Sequence, residues 1–441
     1  MSDAVPLPPR PSLEYYQKLA KDLQHACQAD DAAAIRAWAA RWIERVAKLR
    51  ADDIAPDAIG AEIDRLTRRW NEAQKRNARA ERCLLTDAQF FVAREHGFER
   101  WPKFAAHLES LKQNGSPVST FEEAADAIVR GDKARLAVLL EQHPNLVHER
   151  STRDHRSTLL HYVSANGVED FRQKTPPNIV EIAKMLINAG ADVNATSEAY
   201  GGGSTALGLV ATSSHPEAAG VQIPLLQLLL AHGAQMQQPG PTSDGNSIVW
   251  GCLANGQGAA ARFFADRGAT MNLLEAAGVG RLDLVKTYFD GDGNLKPSGT
   301  QEQMESGFLY ACGYGAAGVA EFLLDRGVDP GTRNDRGQTG LHWAMYGPHV
   351  NIVRILLRHR APVNARDATE STALHWGLQG WAMTSDARER EGYYEVVGLL
   401  VSAGADVDLT RLEREERRRR AVEKVRADAR MLDILRLRER D

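Results

Sequence analysis

The stretch "TGLHWAMYGPHVNIVRILL", residues 339–357, decides the fold of this chain of 441 residues. Its opening phrase returns 33 residues later as "TALHWGLQG" at 372–380. Upstream, "SGFLYACGYGAAGVAEFLL" at 306–324 and "EEAADAIVRGDKARLAVLL" at 122–140 fit the same template without a gap. A period of this length indicates a repeat architecture, in which each unit buries its apolar face against its neighbours.

Each unit shares a turn, a first helix, a glycine, an apolar second helix and a closing loop. The closing loop is clear in "AGADVNAT" at 189–196, where Gly190 allows the left-handed conformation that ends a helix. Eight units result, starting near residues 120, 150, 196, 239, 272, 299, 333 and 367. The pattern resembles the ankyrin repeat, which implies an all-α solenoid of helix pairs joined by short β-hairpins.

The regions outside the repeats are also expected to be helical. Residues 1–115 carry amphipathic stretches with charged outer faces, which predicts an α-helical domain that caps the first repeat. The repeats occupy 120–410, and residues 411–441 predict a C-terminal helical cap.

Three insertions interrupt the repeats, near residues 168–178, 212–222 and 382–391. They include "VEDFRQKTPPN" and "SSHPEAAGVQ", and insertions at one type of corner gather on one side of a solenoid, where binding loops lie. Together with "LTDAQFFVAREHGFERWPKF", these segments are similar to a group of bacterial ankyrin-repeat proteins of unassigned function.

Composition limits the classes of partner. A formal net charge of -4 argues against a nucleic-acid partner, and no apolar stretch approaches the roughly 18 residues of a membrane span. The four cysteines form no CxxC pair, so neither a disulfide framework nor a zinc site is expected. The N-terminus lacks the features of a signal peptide, and we expect a cytoplasmic protein in a reducing compartment.

Three histidines occupy the same place in the repeat phrase: His161, His342 and His375. The ankyrin resemblance implies that such a histidine ties its own hairpin together through backbone hydrogen bonds. None has a carboxylate at metal-ligand spacing such as HExxH. We therefore expect no catalytic residue, no metal and no cofactor, although a Ser-His-Asp arrangement stays open at the level of sequence.

Two further motifs are explained by structural roles rather than by ligand binding. "GYGAAG" at 313–318 matches the dinucleotide fingerprint GxGxxG, but that fingerprint needs a preceding strand, whereas a repeat helix is expected here. "RRRR" at 417–420 could attract nucleic acid, but it is interleaved with glutamates at helical spacing, which favours a solvated helix face.

The residue after the phrase histidine is a candidate for binding. Tyr310, Trp343 and Trp376 follow one another at intervals of 33 residues, and Tyr346 shares the face of Trp343. We call these four residues the aromatic strip. The strip either packs between helices or binds a protein or peptide partner on the concave face of the solenoid, since Trp and Tyr dominate binding hot spots.

A second hypothesis is a polar pocket for an anion or small metabolite on the inserted loops of the second and third units. Its candidate residues are His161, Asn166, Arg172, Lys174, Thr175, Ser213, His215 and Gln222. The alternative is that these groups satisfy the backbone of the long insertions.

Overall fold

The computed structural model describes residues 4–8, 11–29, 31–50, 56–76, 83–113, 115–236, 247–409 and 416–436. The fold is all-α with short hairpins, as the sequence predicts. The chain divides into two compact units, residues 1–246 and 247–441. The predicted start of a repeat near residue 239 lies outside the described residues.

The described part of the first unit consists of α-helices, shorter 3₁₀ segments and a two-stranded hairpin. The helices are α1 (Leu13–Gln28), α2 (Ala32–Arg50), α3 (Pro56–Arg76), α4 (Leu85–Glu95), α5 (Trp101–Leu111), α6 (Pro117–Arg130), α7 (Lys133–Gln142), α8 (Ile179–Asn188), α9 (Ala206–Ala211), α10 (Ser214–Ala218) and α11 (Gln222–Ala231). Strands β1 (Thr196–Ser197) and β2 (Ser204–Thr205) pair antiparallel. Residues Leu159–Ser164, which carry the phrase histidine His161, form a 3₁₀ helix.

Aromatic side chains fill the core of the N-terminal helices. Trp38 and Trp42 on α2 are almost fully buried, and their rings meet edge to face at 5.2 Å. One expectation is wrong here, because Cys27 and Cys83 form a disulfide across 56 residues of sequence. Cytosolic proteins rarely keep disulfides, so the cytoplasmic setting stays a prediction that this bond does not support.

The second unit consists of helix pairs followed by two terminal helices. They are α12 (Ile248–Ala254), α13 (Gly258–Ala265), α14 (Leu273–Gly278), α15 (Leu282–Thr287), α16 (Gln301–Gly313), α17 (Ala317–Asp325), α18 (Gly340–Trp343), α19 (Val350–Arg358), α20 (Ala373–Met383), α21 (Ala387–Ser402), α22 (Glu416–Ala427) and α23 (Ala429–Leu435). Isolated bridges mark the hairpins at Phe289 with Leu295 and at Arg333 with Thr339.

One hydrophobic core runs through most of the second unit. Ile352, Val353 and Leu356 on α19 are buried in it, as the apolar run of the second repeat helix predicts. Val425 and Met431 from the two terminal helices join the same core. Helices α17, α19 and α21 each end one or two residues before a left-handed residue, and Gly404 after α21 has a φ of 91°.

Candidate functional site

The three phrase histidines make the same hydrogen bonds in the structure. The Thr339 amide donates to Nδ1 of His342 at 3.1 Å, so the proton lies on Nε2, which donates to the Ser371 carbonyl at 3.0 Å. His375 and His161 repeat this pattern. The predicted structural role is confirmed and extended, because each Nε2 reaches the following hairpin rather than its own.

Burial favours the neutral form of His342 and His161. Desolvation lowers the pKa of His342, and it lowers the pKa of His161 to about 4. With both ring nitrogens already bonded to protein groups, neither histidine has an atom left to bind a metal or move a proton.

The aromatic strip is a continuous chain of ring contacts. Tyr310 meets Trp343 with ring centroids 4.9 Å apart, Trp343 meets Tyr346 at 5.6 Å, and Tyr346 meets Trp376 at 5.4 Å. All three contacts are edge to face, an arrangement that stabilises a pair of rings beyond the area it buries. The period of the sequence therefore brings the four residues together.

Exposure along the strip is graded. Tyr310, Trp343 and Trp376 are half-buried, whereas Tyr346 is 60% exposed. The indole of Trp343 lies on Gly313, where a Cβ atom would come within 2.7 Å of its Cε3. The base of the strip thus packs between helices, and its edge faces solvent.

A groove of 560 Å³ borders the strip. Tyr346, Trp376 and Met383 line it, and Met383 at the end of α20 is 65% exposed. The hairpin residues Arg336 and Asp367 also belong to its lining. The groove offers a partner both apolar surface and polar groups, which is the usual composition of a binding site.

Asp367 fixes the orientation of Trp376. The indole Nε1 donates to Oδ2 of Asp367 at 3.0 Å, while the amides of Thr369 and Ser371 donate to Oδ1 at 2.8 and 2.9 Å. Burial alone would raise the pKa of Asp367, but these hydrogen bonds outweigh it and hold that pKa below its ordinary value. An ionised acceptor therefore locks the ring of Trp376 in place.

Arg172 of the proposed polar pocket belongs to a buried ion network. Its guanidinium donates to Glu122 and Asp126, each at 2.8 Å, and to Glu169 at 3.3 Å. Arg153 pairs with Glu122 and Glu169 as well, and its Nη1 donates to the His96 carbonyl at 2.8 Å. The insertion near 168–178 thus contacts α6 directly through Arg172. It is linked to the loop after α4 through Arg153, which pairs with Glu169 and donates to the His96 carbonyl.

The ion network holds its carboxylates ionised. Burial alone would raise the pKa of Glu122, but the guanidiniums of Arg153 and Arg172 outweigh that effect and bring the pKa to about 2. The pKa of Arg172 is raised well above its ordinary value because nearby carboxylates outweigh its burial. A guanidinium so fully paired has no free edge for an anion.

The remaining candidates of that pocket are spread over separate networks. Asn166 donates to Leu209 and Thr212, and Gln222 donates to the carbonyls of Val210 and Ser213. These bonds satisfy the backbone around the insertions. Three further candidates differ in exposure: Thr175 is half-buried, Ser213 is buried, and Lys174 and His215 are exposed. His161 is held in its hairpin as described above.

Sequence reasoning missed three residues that matter here. Met383 and Asp367 shape the groove, and Glu169 anchors the insertion. Position relative to the repeat could have pointed to Met383, which lies seven residues after Trp376 and hence on the same helix face. The spacing of Glu169 and Arg172 is a local signal, but no local pattern marks the pairing of Glu169 with Arg153, which comes earlier in the chain.

The two secondary motifs behave as expected where they are described. "GYGAAG" spans the end of α16 and the start of α17, so a helix precedes it and the strand of a dinucleotide site is not there. Arg419 and Arg420 are exposed on α22, and the side chains of Arg417 and Arg418 lie outside the described residues.

Comparison with known families supports the repeat assignment in the second unit. A family model described as "Ankyrin repeats (3 copies)" matches residues 308–411. The match covers the aromatic strip and its groove. Within the described ranges, no helix is both long enough and apolar enough to cross a bilayer.

Proposed function

We propose that the protein is a non-catalytic binding module that holds a protein or peptide partner on the aromatic strip. The observation that carries this proposal is the unbroken chain of ring contacts from Tyr310 to Trp376, which ends at an open groove. Ankyrin repeats generally mediate protein-protein interaction, and the family match at 308–411 supports a protein partner.

The strip has the chemistry of a hot spot. Trp and Tyr bury a large area on contact and keep a polar edge for hydrogen bonding. Trp343 is seated on Gly313 and Trp376 is tied to Asp367, so both rings are ordered before a partner arrives. Order of this kind lowers the entropy that binding costs. Tyr346 and Met383 supply the exposed area that a partner would cover.

The proposed organisation places helical caps at both ends of the repeats. The first five helices would cap repeats within 120–410, and α22 and α23 would close the other end. Support comes from each unit taken separately: α5 contacts α6 in the first unit, and α22 contacts α20 in the second. A capping element is required because an end repeat would otherwise expose its apolar face.

Affinity capture followed by mass spectrometry tests the proposed function. The double variant Trp343→Ala with Trp376→Ala should lose specifically captured proteins, and Tyr346→Ala should weaken their capture while leaving the fold intact. Tyr200→Ala is a matched control, since Tyr200 is 61% exposed in the other unit and Tyr346 is 60% exposed. Unchanged capture by a folded double variant would reject the proposal.

A further inference from the structure

A second groove, of 660 Å³, lies between α3 and α4 in the N-terminal helices. Trp70 from α3 and Phe91 from α4 form its floor, and their rings meet edge to face with centroids 5.2 Å apart. The two side chains are 1% and 4% exposed. The proposed function does not use this groove, because the aromatic strip is built from residues of the other unit.

Two polar atoms at this groove have no hydrogen-bond partner in the described part of the chain. They are the indole Nε1 of Trp70 and the amide Oε1 of Gln74, and both residues line the groove. The residues are one turn apart on α3, so the atoms share a face. The indole can only donate and the amide oxygen can only accept.

A donor and an acceptor left side by side point to a ligand that supplies both. Buried polar groups are nearly always hydrogen-bonded, because an unmade bond costs about 1 to 3 kcal/mol. A peptide group carries one C=O and one N–H and meets both needs. An extended peptide repeats this pair every ~3.3 Å, which lets neighbouring peptide groups serve the two residues.

The charged side chains around the groove balance one another. They are three cations and three carboxylates: Arg69, Arg76, Arg94, Glu72, Asp87 and Glu95. Arg69 pairs with Glu95 at 3.0 Å, and Arg94 pairs with Asp154. The lining therefore complements a neutral ligand better than a strongly anionic or cationic one.

Phe90 supplies an apolar contact at the rim. It lies in the groove lining and is 52% exposed, although its neighbour Phe91 is buried. An exposed aromatic ring next to an unpaired donor and an unpaired acceptor is typical of a small binding site. An apolar side chain of the ligand would cover this ring.

We propose that the groove between α3 and α4 binds a short, extended, apolar peptide segment. One of its carbonyls accepts from Nε1 of Trp70, one of its amides donates to Oε1 of Gln74, and an apolar side chain covers Phe90. This site is separate from the aromatic strip, so either proposal stands if the other fails.

The test follows the indole N–H signal of Trp70 by NMR in the full chain. The chain has eight tryptophans, so the signal of Trp70 must be assigned. The indole signal that is absent from the spectrum of the Trp70→Phe variant is that of Trp70. The probe is acetyl-Leu-Phe-Leu methylamide, and its backbone N-methylated analogue is the control. The probe should move the Trp70 signal downfield to saturation. N-methylation and Gln74→Leu should each weaken binding about fivefold to tenfold, the worth of one hydrogen bond.

Two variants keep the result independent of folding. Phe90→Ala changes an exposed side chain and should lower the affinity for the probe. Tyr200→Ala should bind the probe with the affinity of the unaltered protein. A Trp70 signal that does not move at millimolar probe would overturn the proposal. Equal binding of the N-methylated analogue would overturn it too, as would a nucleoside such as adenosine moving the signal when the peptide does not.

Discussion

The residue that follows the phrase histidine lies in different environments near residue 162 and in the repeats at 308–411. Tyr162, Trp343 and Trp376 all follow the phrase histidine, and that histidine makes the same hydrogen bonds in each case. Yet Tyr162 is fully buried, while Trp343 and Trp376 keep part of their surface in solvent. The insertion near 168–178 contributes to this burial, since its Arg172 lies 5.9 Å from the ring centroid of Tyr162, and the rings of Phe121 and His155 also pack against that tyrosine.

An insertion can therefore cover a potential binding surface as well as form one. Near Tyr162, the inserted residues Glu169 and Arg172 turn inward and pair with Arg153 and with charges from α6. Beside Trp376, the insertion near 382–391 instead contributes Met383 to an open groove. Tight packing is therefore expected where inserted residues turn inward, and binding where they leave the surface open.

The largest expected effect is the loss of the ion network. Arg172→Ala leaves Glu122 and Glu169 buried with fewer partners, which should lower the free energy of unfolding by about 3 to 5 kcal/mol. Lys133→Ala is the control, because its pair with Glu181 is exposed and should contribute little to stability. Urea unfolding of both variants measures this difference, and equal losses would show that the insertion is not a structural lock.

Alanine substitutions at Tyr162 and Tyr346 test the difference between a buried and an exposed ring. Tyr162→Ala removes a buried ring and should lower the free energy of unfolding by about 3 to 5 kcal/mol. Tyr346→Ala removes a ring that is 60% exposed and should cost less than about 1.5 kcal/mol. Thermal and urea unfolding report both values. If Tyr346→Ala were the more damaging change, the strip would be a core element rather than a surface.

The shared histidine should make stability depend on pH. In the folded protein the pKa of His161 is about 4, below its ordinary value of 6.5, so the unfolded chain takes up its proton first. The stabilisation is complete above pH 6.5 and is lost as the pH falls toward 4. It amounts to at most about 3 kcal/mol for this residue.

The measurement is the free energy of unfolding in urea at several pH values between 7 and 4. The unaltered protein should lose stability across this range, and His161→Asn should show a shallower decline because it has no proton to gain. A variant with the same slope as the unaltered protein would exclude His161 as a source of the pH dependence.

The sequence predicts features that repeat along the chain and misses those that join distant segments. The period of 33 residues was enough to place Trp343 beside Tyr346 and to explain His342, because each relation is local to a repeat or its neighbour. Arg172 and Glu122 are 50 residues apart, and Cys27 and Cys83 are 56 apart. Nothing in the local pattern marks such pairs, so the sequence leaves open whether the insertion binds a ligand or only satisfies its own backbone.

Hydroxyl-radical footprinting of the protein with and without a captured partner tests the central claim most directly. Tyr346 and Met383 are exposed in the free protein and should react readily with the radical. Binding on the aromatic strip predicts that both become protected, while Tyr200, equally exposed in the other unit, reacts as before. Protection elsewhere, with Tyr346 and Met383 as reactive as in the free protein, would contradict the account.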